Sequence, residues 1–197
     1  MSFDDYVACR KMNLLIETYL NNSLFEEMFV PLKVMGVSAF DCLVYLHGHE
    51  EMFTPKMRKI VEDFTWATKY SVFDTYELAK DFVLQPSIIE KYISGELGTN
   101  EILLYRAKLY LELEDIASVL TRAIEGLLRE RNLFSEQVGD FFQQVSEFIL
   151  LRKEHFYQYE KKIESEFDYD FEVLSKAKFN VDPRWIQKTE QPIRFSF

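Results

Sequence analysis

Four times in the N-terminal half of this chain a short polar side chain stands three positions ahead of a carboxylate: Ser2 and Asp5, Ser23 and Glu26, Ser38 and Asp41, Asp74 and Glu77. In such a pair the first side chain accepts a hydrogen bond from a free amide of a helix's first turn, and the acidic partner sits at the positive end of the helix dipole. Thr54-Pro55 supplies a fifth start, because proline at the first helical position forfeits no internal bond. The stops are Asn21-Asn22, Gly36, Gly48 and Gly95, each after an apolar periodic stretch. Together these signals predict helices over 3–20, 24–35, 39–47, 55–70, 75–84 and 87–94, with Pro31 kinking or splitting the second at Val30. Leu14, Leu15, Thr18 and Tyr19 form one face of the first helix. Phe40, Leu43, Val44 and Leu46 make the third nearly apolar all round, so it is expected to be the most buried.

The pattern lengthens after Thr99. Leu103, Ala107, Tyr110 and Leu111 are expected on one face, followed by Ile116, Leu120, Ala123, Ile124, Leu127 and Leu128, with the acidic stretch 112–115 starting a second helix. Ser135 opens another, whose stripe is Val138, Phe141, Phe142, Val145, Phe148 and Ile149. Beyond Glu164 the alternation Phe167-Asp168-Tyr169-Asp170-Phe171 has the period of a strand, as do 178–181 and 194–197. A small sheet, an extended arm, or a helix over 160–176 all fit there. With only 6 Gly and 5 Pro among 197 residues, a turn-rich sandwich or barrel is disfavoured. The expectation is a mainly α single domain: a short-helix half (1–94), a half of two or three long antiparallel helices (95–163) and a small β or extended C-terminal arm (164–197).

Charge and motif searches exclude more than they include. A net charge of -10 disfavours nucleic acid and anionic membranes as partners. No apolar run approaches a membrane span and the start lacks signal-peptide character, which points to the cytoplasm. Cys9 and Cys42 are expected to be reduced, buried thiols. There is no phosphate loop, dinucleotide fingerprint, His-Glu-x-x-His or nucleophile elbow. His47-Gly48-His49-Glu50 places two imidazoles beside a carboxylate and reads either as metal ligands or as a helix end. His155 reads as part of a solvated face. No Glu stands three positions before a histidine, so the di-iron bundle pattern is absent. The paired carboxylates Glu26-Glu27 and Glu50-Glu51 diverge by about 100° on a helix and read as solvated. In the stretch 94–101, Gly95 and Gly98 flank Glu96-Leu97, and Thr99 or Asn100 then caps a long helix. This segment reads as a tight connector or as an anion-contacting loop. Nearby Phe64, Trp66, Tyr70 and Phe73 line either a partner groove or the core.

Four segments, Ser2-Phe3-Asp4-Asp5-Tyr6-Val7-Ala8-Cys9-Arg10, Val37-Ser38-Ala39-Phe40-Asp41, Gly95-Glu96-Leu97-Gly98-Thr99-Asn100 and Phe167-Asp168-Tyr169-Asp170-Phe171, occur in an order that resembles the C-terminal helical region of radical SAM proteins with an N-terminal cobalamin-binding domain. The resemblance covers nearly the whole chain and implies an appended helical domain of an enzyme that uses a four-iron cluster, S-adenosylmethionine and often cobalamin. None of that family's catalytic residues carries over. Cys9 and Cys42 cannot build Cys-x-x-x-Cys-x-x-Cys, and Tyr45 stands where the cobalamin motif needs an aspartate before His47. The expected function is therefore a non-catalytic accessory domain that caps or positions substrate for a radical SAM barrel, with the cofactors in domains absent here. The alternative is a free-standing helical adaptor that binds a protein through an aromatic groove.

Overall fold

Where a serine precedes an aspartate by three, the computed structural model closes a reciprocal cap; it describes residues 2–154 and 162–196 in full and the backbone of 155–157. At the head of α1 (Phe3–Tyr19) the Asp5 amide donates to Ser2 Oγ at 3.1 Å and the Ser2 amide to Asp5 Oδ2 at 2.8 Å. At the head of α3 (Ala39–Gly48) the matching bonds join Ser38 and Asp41 at 3.0 and 3.3 Å. Bonds from these capping backbone amides hold both aspartate carboxyls below their ordinary range. Thr54 caps α4 (Pro55–Tyr70), with Pro55 at its start.

Two starts differ from expectation. Ser23 itself adopts φ +56, and α2 (Glu26–Val34) begins after Phe25 with no side-chain cap. Asn22 takes the local bond instead, accepting from the Leu24 amide at 3.4 Å. Pro31 is buried within α2 and does not split it: the helix runs on to Val34, and the single bond lost is the one to the Glu27 carbonyl in the first turn. Thr75, one residue after Asp74, caps α5 (Tyr76–Val83) by accepting from the Leu78 amide at 3.2 Å.

Then come α6 (Pro86–Ile93), α7 (Glu101–Leu111), α8 (Leu113–Glu130) and α9 (Glu136–Tyr157). A break at Glu112 separates α7 from α8, so the acidic stretch does open a second helix. The arm contributes β1 (Glu164–Phe167), α10 (Phe171–Lys176) and β2 (Ile193–Ser196). Its two strands pair antiparallel, Glu164 opposite Ser196 and Phe167 opposite Ile193. Among the described residues the protein is thus mainly helical, with one two-stranded sheet. A single apolar core draws on residues from the short-helix half, the long-helix half and the arm.

The most buried helix is α8, not α3. Nine α8 side chains are buried, from Ile116 to Leu128, whereas Phe40 and Val44 on α3 face outward and only Cys42, Leu43 and Leu46 are buried. α3 and α9 both pack on α8. Close approach of α3 depends on Gly126, where an added Cβ would lie 2.4 Å from the Tyr45 hydroxyl. The apolar stripe expected of α9 is buried in full. α7 turns a different face inward than expected. Tyr105 and Leu109 are buried while Leu103, Ala107 and Leu111 are exposed, because α7 lies against α1 and α4. There the Tyr105 hydroxyl donates to Asp63 O at 3.2 Å and the Tyr110 hydroxyl to Thr18 O at 3.0 Å. The cysteines divide: Cys42 is buried, and desolvation pushes its thiol up to about 12, while Cys9 is exposed.

The arm is held by rings and by one cation. Phe171 stacks on Phe148 of α9 at 4.5 Å and meets Phe167 edge-on at 4.7 Å; Tyr169 meets Phe141 at 5.3 Å. Lys188 Nζ lies 2.8 Å from Asp140 on α9 and 2.7 Å from Asp168 on the arm. Gln144 Oε1 accepts from the Asp168 amide at 2.8 Å. The alternating aromatics are all buried, as a strand would place them, but the strand ends at Phe167. Residues 178–181 form no strand, since Lys178 and Phe179 both have positive φ. The His155 side chain, and residues 160 and 161 of the helical alternative, lie outside the described residues.

Replacing Phe171 by alanine is expected to lower stability by about 3–5 kcal/mol, measured by urea unfolding. Acid should loosen the arm. The Lys188 hydrogen bond lowers the Asp168 carboxyl in the folded state, so its contribution is complete above the unfolded value near ~3.9 and is lost as pH falls through the lower folded value. Near-UV circular dichroism below about pH 4 should show this, and Asp168→Asn should flatten the acid limb at a cost of about 1 kcal/mol or less, because the pair is partly solvated.

Candidate functional site

α5 and α6 are each eight residues long, and neither buries a single residue. Among the described helices and strands, their substantial packing is on each other. At 100° per residue, Leu78, Ala79, Phe82 and Val83 share one side of α5, opposite Glu77, Lys80 and Asp81. α6 repeats the arrangement ten residues later, with Ile88, Ile89, Tyr92 and Ile93 opposite Ser87, Glu90 and Lys91. Such stripes normally face a core. Here Tyr76, Leu78 and Val83 of α5 and Ile89, Tyr92 and Ile93 of α6 are exposed, with Val72 before the hairpin and Leu84 between its helices.

The segments at either end of the hairpin explain how it is held out from the bundle. At the end of α4, Trp66 and Tyr70 stack on each other at 4.6 Å and are both exposed, and Phe73 then packs on Phe82 at 5.0 Å. Phe64 does not belong with these rings. It is buried, edge-on to Tyr105 at 5.4 Å and beneath the Arg10 guanidinium. After α6 the chain turns back through Gly95 (φ +78) and Gly98 (φ +86). The Leu97 amide donates to Lys91 O at 3.0 Å, Lys91 pairs with Glu96 at 2.9 Å, and a Cβ at Gly98 would lie 3.0 Å from the Tyr92 ring. Asn100 then caps α7, its Oδ1 accepting from the Leu103 amide at 3.3 Å, while Thr99 is exposed. Glu101 occupies the first turn of α7 and pairs with Arg10 at 3.1 Å. The segment is thus a tight turn that carries the chain from α6 into α7.

The His47-Gly48-His49-Glu50 group does not converge. His47 Nε2 lies 3.1 Å from Ala8 O on α1, His49 Nδ1 lies 2.8 Å from Tyr45 O with its ring stacked on Tyr45, and Glu50 pairs with Lys11. These contacts tie the end of α3 to α1. Among the described residues no three His, Cys, Asp or Glu side chains are grouped to hold a metal ion. A groove of about 1030 Å³ runs beside the α7–α8 break, with an apolar floor that includes Leu113, Leu150 and Leu151 and a rim that includes Lys56 and Glu114. Lys56 is already paired across it with Glu112 at 2.6 Å. No family model, curated protein or solved structure matches the chain. The hairpin, with Val72 and Leu84, carries eight of the nineteen large apolar side chains exposed among the described residues. The sequence sign that could have singled it out is the shared apolar spacing of two helices too short to be stable alone.

Because the hairpin lacks core contacts, its backbone hydrogen bonds should open by local unfolding. Native-state hydrogen exchange is expected to be at least about 100-fold faster for the amides of α5 and α6 than for those of α8.

Proposed function

We propose that the chain is a non-catalytic helical accessory domain that docks on a protein surface through the α5–α6 hairpin. The observation that carries this reading is an apolar face, on two amphipathic helices, that none of the described residues covers. Helices of eight residues are marginal in water, and burial of that face against a partner would supply the stabilisation that the bundle does not. The exposed Trp66 and Tyr70 flank the hairpin with side chains suited to be binding hot spots.

On the resemblance to radical SAM proteins, the domain would cap the barrel of such an enzyme or position substrate for it. In the adaptor reading the partner is a separate protein. In the first reading, S-adenosylmethionine, the four-iron cluster and cobalamin would belong to the rest of that enzyme. Cys42 lies in the core and Cys9 on the surface, so a set of three cluster thiolates has to come from elsewhere. Anaerobic reconstitution of the full chain with iron and sulfide is expected to give no cluster absorbance, and a stoichiometric cluster would overturn the accessory reading. An apolar dye such as anilinonaphthalene sulfonate should bind the chain at concentrations where it is monomeric and lose most of its fluorescence with Tyr92→Ser, while the far-UV spectrum of the bundle stays unchanged. Monomeric protein that binds no dye would count against the docking face.

A further inference from the structure

We infer that the hairpin's partner is a second copy of this chain, two hairpins joining across a two-fold axis into a four-helix layer. This rests on the docking reading and commits it to one occupant. Two copies about a two-fold axis present the same face to each other, as an isologous interface requires, and on that face α5 and α6 carry the same two-on, two-off apolar spacing. Four short amphipathic helices then cover one another, which two cannot do.

The area fits. Exposure of the eight large apolar side chains runs from 41% at Val72 and Ile89 to 82% at Ile93. Together they offer roughly 450–900 Å² if each carries about 100–200 Å² when free. A standard interface takes about 800 Å² from each partner, and the largest apolar patch on a typical monomer is about 300–600 Å². The polar flanks carry both signs, Lys80 beside Glu77 and Asp81, and Lys91 beside Glu90, so neither helix meets its counterpart with a single sign of charge. Each copy nonetheless carries -10 in all. Association is therefore apolar in origin and opposed by long-range repulsion, which salt screens.

Sedimentation velocity on the full chain between about 1 and 100 μM is expected to give a species of twice 23.5 kDa. Ile93→Glu and Leu78→Glu place a carboxylate at positions already exposed in the protomer, and each should weaken association at least about tenfold without changing the melting of the bundle. Raising NaCl from about 50 to 500 mM should tighten the dimer, whereas docking on a basic protein would weaken. A chain that remains at 23.5 kDa throughout overturns the proposal, as does a dimer whose constant neither variant changes. The dye then separates the two readings. If the monomer binds it and Ile93→Glu does not, the hairpin docks on a different protein; if the wild-type monomer does not bind it, the docking face falls as well.

Discussion

Burial of α8 is the interaction on which the rest of the structure depends. Its nine buried side chains occur on nearly every side of the inward half of the helix, so α3, α9 and parts of α4 and α7 can all pack on it at once. Small residues set how closely they approach. Ala117 and Ala123 are buried in the α8 face, and at Gly126 the missing Cβ leaves room for the Tyr45 ring. Interiors are packed to crystal-like density, so a methyl group there would displace the Tyr45 ring and its stack on His49 at the end of α3.

The arm extends that core. The arm covers Phe148 and Phe141 on α9 with Phe171, Phe167 and Tyr169. Burying this aromatic layer also buries a tyrosine hydroxyl. Desolvation, with Asp140 nearby, pushes Tyr169 up to about 12, so it stays neutral and can donate to Asp140 at 3.2 Å. Asp140 and Asp168 would repel each other but for Lys188, whose ammonium lies between them. Removal of Lys188 would leave two carboxylates facing each other at the edge of an apolar layer, so polar satisfaction and aromatic packing act here as one unit.

What could be read from the sequence divides by the range of the interaction. Caps involve neighbours three residues apart, and Ser2, Ser38, Thr54 and Asn100 behave as their spacing predicts. Ser23 fails for an equally local reason, since Asn22 competes for the same turn. Which face of a helix is buried is not local. Phe40 and Val44 on α3 are as apolar as Leu43, but α8 and α1 lie on only one side. The true inner face of α7, Tyr105 and Leu109, holds fewer aliphatic residues than the face it leaves in solvent, because two tyrosine hydroxyls find carbonyls on α4 and α1. The connector at Gly95 and Gly98 was legible as a turn, but the pairing of Arg10 with Glu101 across 91 residues, which ties the start of α7 to α1, was not.

The hairpin inverts the usual relation between these levels. In α8 the local pattern and the tertiary environment agree. In α5 and α6 the cap at Thr75, the proline at the start of α6 and both apolar stripes all specify packed helices, yet the bundle gives those stripes nothing to pack on. A sequence rarely keeps a consistent helical program at a place where it contributes no burial, because isolated short helices gain too little to offset the entropy of ordering them. Such consistency makes sense when the missing face arrives from outside the protomer. The glycine connector serves the same end: by closing against Tyr92 and Lys91 it fixes where the hairpin rejoins the bundle. A presented face that is held in place loses less conformational freedom on binding than a loose one, so more of its apolar area is realised as affinity.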